Sequence, residues 1–212
     1  MNAAIIDYGY GNLFSLKKAL AHLGATATIA HSPRMLADAR ILFLPGVGAF
    51  GDGISELRRR GFEKPLLKHA KNGKPLFGIC LGMQFLFDTS EEFGRHKGLG
   101  LISGVVKRIA PIALNCKIPQ VGWNALQVPK GATNWKGTIL EKVKPSSDQV
   151  YFVHSYAGNP SHQKDVLAET EYCGVRMTAV VKKGSLYGTQ FHPEKSGTVG
   201  LTILKNFLDN NS

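Results

Sequence analysis

Five residues, Gly78-Ile79-Cys80-Leu81-Gly82, constrain what this chain can fold into more than any other segment. They close the apolar run Leu76–Ile79 and turn the chain sharply at Cys80. A nucleophile lifted onto a tight strand-to-helix turn sits in strained backbone, so the residues two before and two after it must be small enough to clear the neighbouring chains. Gly78 and Gly82 meet that requirement. The pattern predicts a strand ending at Cys80 and an amphipathic helix continuing to about Phe87. It places the thiol at a helix start, where free N–H groups and the dipole favour a thiolate. The competing reading is an inert core cysteine at the end of a buried strand.

The far end of the chain supplies what such a thiol needs. Leu186–Phe191 reads as a strand running into His192-Pro193-Glu194. His192 is a base that can take the thiol proton, and Glu194 is an acceptor that can orient the imidazole and stabilise its charged form. A third segment, Pro45-Gly46-Val47-Gly48-Ala49-Phe50, follows the apolar strand Ile41–Leu44. Its glycines allow close backbone approach, so a peptide N–H near Val47 or Gly48, with the amide of Leu81, would form a two-donor oxyanion hole. Taken alone, the same segment reads more readily as a simple turn, since glycine and proline mark turns everywhere.

Between these points the chain alternates strands and helices. Ala3–Asp7, Thr26–Ala30, Ile41–Leu44 and Leu76–Ile79 read as strands; Leu13–Leu23, Ile54–Arg60 and Pro65–Asn72 read as helices. The alternation predicts a parallel sheet covered on both faces. From about Gly104 the strands come closer together, at Val105–Ile109, Trp123–Val128, Gln149–His154, Val166–Thr170 and Val175–Val181, and Gly197–Leu208 closes the chain as a helix. The expected fold is an open, mostly parallel, flavodoxin-like α/β sheet flanked by helices with an antiparallel β addition, one domain over 1–212. Gly9-Tyr10-Gly11-Asn12 lacks the third glycine of a dinucleotide fingerprint, because Phe14 stands there. Gly98-Leu99-Gly100 reads as a surface loop. Trp123 and Trp135 read as packing or interface residues.

Gly78-Ile-Cys80-Leu-Gly82-Met-Gln84 together with His192-Pro-Glu194 resembles the signature of the triad, or class I, glutamine amidotransferases. Within that family Ile6–Asn12, Pro45–Phe50, Val121–Asn124, Tyr151–Tyr156 and Phe191–Ser196 are similar to the glutaminase subunits of imidazole glycerol phosphate synthase, and the matches cover essentially the whole chain. The resemblance implies that Cys80 forms a glutamyl thioester, His192 is the acid and base, and Glu194 orients it. It implies that Gln84, Ser155 and Tyr156 line the glutamine pocket, and that Val47, Gly48 and Leu81 form an oxyanion hole completed when the partner is engaged. Asn12, Trp123 and Lys195 match positions facing a cyclase subunit and the ammonia passage. The implied partner is that cyclase, in a heterodimer, which makes imidazole glycerol phosphate and AICAR in histidine biosynthesis. Gln120 departs from the histidine common before the Gly-Trp-Asn segment. That keeps open the same chemistry feeding another acceptor, such as a surface-sugar amidotransferase. The remaining alternatives are a cysteine hydrolase or chaperone on the same fold and a binding module with a dead triad.

Composition narrows the classes without choosing among them. No segment approaches the roughly 18 to 20 continuous apolar residues of a membrane span. The first residues enter a strand at once, which predicts no cleavable leader. Cys80, Cys116 and Cys173 show neither metal-ligand spacing nor an even pairing pattern, so the expectation is a reduced cytoplasmic protein with no metal and no cofactor. The net charge of +11 speaks to association more than to fold. Its longest cationic run, Arg58-Arg59-Arg60, ends a helical segment, and no stretch interleaves cations with stacking aromatics. Nucleic acid is therefore not the expected partner, and an acidic protein face is.

Overall fold

A computed structural model describes residues 2–112 and 116–211; Met1, with which the leader reading begins, lies outside them. Strands β1 (Ala3–Ile6), β2 (Ala27–Ala30), β3 (Ile41–Gly46) and β4 (Leu76–Cys80) pair in parallel in the order β2-β1-β3-β4. β1, β3 and β4 are buried at every position, as continuous apolar runs must be when both sheet faces are covered. Helices α1 (Leu13–His22), α2 (Phe50–Arg59) and α3 (Glu63–Lys71) connect them. One face of the sheet packs Leu16 and Leu20 of α1 with Ile5, Phe43 and Phe77; the other packs Ile54 and Leu57 of α2 with Ile6, Leu42 and Leu44. The cationic run at the end of α2 is neutralised locally, Arg59 and Arg60 by Glu56 and Arg58 by Glu63.

The helix expected after Cys80 is a single turn, α4 (Leu81–Gln84), buried at all four positions and therefore not amphipathic. The turn is pressed between sheet and helices, with Leu81 and Met83 in the core, so it has no solvent face to carry a polar stripe. One turn also sums little dipole, which leaves thiolate formation to the side chains around it. The chain then forms β5 (Phe87–Ser90), β6 (His96–Lys97) and β7 (Ile102–Arg108). With β10 (Tyr156–Pro160) these make a second sheet in the order β10-β7-β5-β6. β5, β6 and β10 are too short to show a period in the sequence. The Gly98-Leu99-Gly100 segment is not a free surface loop: the Leu99 N–H donates to Phe85 O at 2.8 Å and Leu99 is buried.

β8 (Gln120–Ala125) and β9 (Gln149–His154) form a separate antiparallel ribbon. β11 (Val166–Tyr172), β12 (Val175–Lys183) and β13 (Leu186–Thr189) return to the main sheet, β13 parallel to β4 and the other two antiparallel beyond it. This is the expected open sheet with an antiparallel addition. Helix α5 (Gly197–Asp209) covers one face through Ile203, Leu204 and Phe207. Trp135 is buried, with its indole N–H donating to Leu167 O at 2.9 Å, whereas Trp123 is half exposed.

The cysteine expectation needs one correction, because Cys116 and Cys173 are joined by a disulfide. The two are 57 residues apart, and no sequence spacing announces the pair. They are brought together where the Ile112 N–H donates to Cys173 O and the Tyr172 hydroxyl donates to Lys117 O, which place Ile112 and Lys117 beside the β11–β12 turn. Cys80 is the free thiol.

Candidate active site

Cys80 occupies the last position of β4 with φ 53° and ψ −109°, a left-handed conformation that a non-glycine residue adopts only where its surroundings enforce it. The flanking glycines show how. A Cβ on Gly78 would stand 2.8 Å from both Gly82 O and Met83 N, and a Cβ on Gly82 would run into the carbonyl oxygen of Leu44. The strained turn thus exists because β3 and α4 close on it without side chains between them. Gly46, at the end of β3, is in register with Cys80. This brings the Pro45–Gly48 segment alongside Cys80, outside the carboxyl ends of the parallel strands.

Beyond β13 the chain reaches His192, whose backbone N–H donates to Tyr151 O at 3.0 Å. Pro193–Lys195 make one 3-10 turn, and that turn folds Glu194 back so that its Oε1 lies 2.9 Å from His192 Nδ1. Both side chains are almost wholly buried. Ser196 locks the turn, donating from its hydroxyl to His192 O at 2.7 Å and accepting from the Tyr151 N–H at 2.9 Å. Burial opposes a charged imidazole, but the interactions with Cys80 and the Glu194 carboxylate outweigh it and raise the His192 pKa to about 10. His192 therefore holds a proton near neutrality, and its Nε2 has no hydrogen-bond partner among the described residues.

Cys80, His192, Val47, Gly48, Leu81, Gln84, Ser155 and Tyr156 line one cavity of about 250 Å³. The cysteine S–H points to Val153 O at 3.9 Å, and Gln190 Nε2 lies 3.8 Å from the sulfur. Gln84 is already engaged, donating to Tyr156 O at 2.9 Å and to Gln190 Oε1 at 3.1 Å, so it shapes the pocket wall through Tyr156. Asn12, Trp123 and Lys195 do not line the cavity. Trp123 lies on the outward face of the β8–β9 ribbon, 6.1 Å from Tyr151 between ring centres, and Lys195 is exposed on the turn after His192. A larger cleft of about 640 Å³ lies between α1 and β2, lined by Lys17, Thr26, Thr28 and His31, away from this chemistry.

Sequence reasoning missed four residues here. Glu92 and Val153 also line the cavity, and Glu92 accepts the Phe50 N–H at 2.7 Å, holding the start of α2 against the site. Gln190 is fully buried beside the sulfur, and its position two residues before His192 was the available signal. His154 lines the cavity as well, in the middle of the Tyr151–Tyr156 motif. The departure at Gln120 falls on the inner face of the ribbon: Gln120 is directly opposite His154 in the ladder and buried.

Residues 4–211 match the family described as glutamine amidotransferase class-I. The chain is 44% identical over 210 residues to imidazole glycerol phosphate synthase subunit HisH 1 of Legionella pneumophila (strain Lens), covering 98% of each. It is 43% identical over 205 residues to imidazole glycerol phosphate synthase hisHF, chloroplastic, of Arabidopsis thaliana, spanning 96% of this chain and 33% of that longer protein. A solved glutamine amidotransferase superposes with a TM-score of 0.73 at 20% identity, covering 98% of both chains, which speaks to the fold alone. The chain belongs to the class I glutamine amidotransferase family and, within it, to the HisH subunits of imidazole glycerol phosphate synthase.

Proposed function

We propose that the chain, acting as one glutamine amidotransferase domain over 1–212, hydrolyses glutamine to glutamate and delivers the ammonia to a cyclase subunit. That cyclase makes imidazole glycerol phosphate and AICAR in histidine biosynthesis. The observation that carries the reading is the strained Cys80 turn facing, in one cavity, a buried His192–Glu194 pair. Cys80, its thiol proton already held by His192, attacks the side-chain carbonyl of glutamine as a thiolate, and the developing oxyanion takes N–H bonds from Leu81 and from the Val47–Gly48 segment. His192 gives its proton to the departing nitrogen, leaving a thioester and ammonia. Water then attacks the thioester, giving its proton to His192, which releases glutamate and restores the Cys80 thiolate beside the protonated imidazole. Glu194 holds the imidazole in the orientation and charge that both half-reactions need.

The cyclase would dock on the outward face of the β8–β9 ribbon. Val121 and Trp123 project from one strand and Val153 from the other, all partly exposed, and Val153 is continuous with the cavity. Asn12 and Lys195 flank this approach as further partner contacts, and the excess positive charge suits an acidic partner face. No helix among the described residues is long and apolar enough to cross a membrane. A cytoplasmic location, with a reduced Cys80 and access to metabolic glutamine, goes with this reading.

The test measures glutamate release by the chain alone and with the cyclase subunit of the same genome plus its nucleotide substrate. A low rate alone that rises by orders of magnitude in the assembled, liganded complex is expected. Cys80→Ala should abolish glutamine-dependent turnover and leave turnover with ammonium salts intact. Loss of both activities, or a rate indifferent to the cyclase, would sink the reading.

A further inference from the structure

The single turn of α4 supplies little dipole, so a thiolate at Cys80 depends on the hydrogen-bond donors around the sulfur. His192 is one. Val153 O, 3.9 Å from Sγ, is not, because a carbonyl accepts from a thiol and has no hydrogen to give a thiolate. The second donor is Gln190, whose Nε2 stands 3.8 Å from Sγ. Gln190 directly follows β13, its backbone N–H donates to Ala179 O at 2.9 Å, and the residue is fully buried. Which end of its amide faces the sulfur is set by a chain of partners. Tyr156 O only accepts, so the nitrogen of the Gln84 amide faces it, at 2.9 Å. That nitrogen has a second N–H, which it gives to Gln190 Oε1 at 3.1 Å. With its oxygen taken, Gln190 presents its nitrogen to Cys80. The sulfur is the partner of that nitrogen among the described residues.

A buried amide N–H is costly unless it is bonded, and a charged sulfur satisfies it better than a neutral thiol does. A contact that is loose against the thiol shortens when the acceptor gains charge. We propose that Gln190 is a further catalytic residue, whose Nε2–H donates to the Cys80 sulfur and, with His192, holds it as the thiolate, while Gln84 fixes the direction of that donor from Tyr156 O. The bond is strongest when the sulfur is charged, before the attack and again as water expels it from the thioester. It is weakest in the thioester between. No proton moves through Gln190. Gln84 thereby serves the sulfur as well as the pocket wall.

The inference rests on the glutaminase reading, in which Cys80 is the attacking atom, and it is tested on the sulfur itself. Cys116 and Cys173 are joined to each other, so alkylation of the non-reduced chain reports Cys80. The rate of reaction with iodoacetamide is measured as a function of pH for wild type, Gln190→Leu, Gln190→Met, Gln190→Glu and Gln84→Leu, each taken from the natively eluting fraction of a gel filtration. A change in access scales the whole profile, whereas loss of a thiolate donor moves its acid limb to higher pH. Gln190→Leu and Gln190→Met should move that limb up by about one pH unit, the roughly tenfold worth of one hydrogen bond to a charged group. Gln190→Glu keeps the shape but turns an acceptor toward the sulfur, and should move the limb further. Gln84→Leu leaves Gln190 in place but frees its amide to turn over, and should move the limb less. Limbs that coincide with wild type in the Gln190 variants that fold, or in Gln84→Leu should none of them fold, would make Gln190 a packing residue and overturn the proposal. Glutamate release in the assembled, liganded enzyme keeps the two readings apart. A wild type that hydrolyses glutamine while the limbs stay fixed loses this proposal alone; a wild type that releases no glutamate loses the glutaminase reading and the catalytic role of Gln190 with it.

Discussion

The two walls of the catalytic cavity are built on opposite plans. The wall carrying Cys80 belongs to the parallel sheet, buried on both faces and closed so tightly that Gly78 and Gly82 leave no room for a methyl group. The wall carrying His154 belongs to a two-stranded ribbon whose inner residues Gln120, Val150, Phe152 and His154 are buried and whose outer residues, Val121, Trp123 and Val153, meet solvent. A nucleophile in strained backbone must be over-determined by packing, because nothing else would hold the strain. A wall that receives a partner must instead keep apolar surface uncovered until the partner arrives. The prediction that follows is a division of labour, in which changes to the first wall damage chemistry or stability and changes to the outer ribbon damage assembly.

The sharpest probe of the rigid side is the pair anchored at its rim. Glu194→Gln keeps the shape but removes the buried charge next to His192, and should lower glutamine turnover about a hundredfold or more, read as kcat in the complex. His192 binds its proton more tightly folded than unfolded, so its contribution to stability is full below pH 6.5 and is lost as pH rises through about 10. In Glu194→Gln the alkaline loss, which starts near pH 6.5 in both proteins, should be smaller and end at lower pH, visible in urea midpoints across the range. Gly82→Ala forces a Cβ against Leu44 O and should cost about 3 kcal/mol, enough to shift the denaturation midpoint clearly. A Gly82→Ala protein as stable as wild type would break the claim that packing enforces the turn.

On the ribbon side, Trp123→Ala should leave the thermal midpoint of the isolated chain nearly unchanged, since the ring is half exposed, yet weaken cyclase binding by about 2 kcal/mol, roughly thirtyfold in Kd by calorimetry. Equal loss of stability and binding would erase the contrast between the walls. The smallest effect concerns the ribbon's inner face. His154 is held neutral with a pKa of about 4 against 6.5 unfolded, so between these values the unfolded chain binds the proton that the folded chain refuses. Stability therefore falls as pH drops through that window, by at most about 1.4 kcal/mol per pH unit from this group. His154→Asn should flatten that acid slope.

The contrast between the walls also marks what could be read along the chain. Cys80 with its two glycines is a local steric rule, and His192-Pro193-Glu194 is a single turn in which the imidazole and the carboxylate it pairs with lie two residues apart. Both are written in a few consecutive residues. The parallel half of the sheet is legible for a similar reason: continuous apolar runs separated by helical periods leave few other arrangements. The segment after Cys80 does not form the expected amphipathic helix, because Leu81–Gln84 lie wholly inside the core, where period carries no information.

What the sequence by itself determined is the sharp turn at Cys80, the His192–Glu194 pairing, the glycines that make the turn possible, and the alternation that builds the parallel sheet. Only the tertiary structure decided which polar groups are buried without partners, that Cys116 meets Cys173, that Gln120 turns inward while Val121 and Trp123 turn out, and that Gln190 and Glu92 border the cavity. The physical reason is range. Steric and turn constraints act between neighbours along the chain, whereas burial, desolvation and hydrogen-bond pairing depend on residues tens of positions apart being folded against each other.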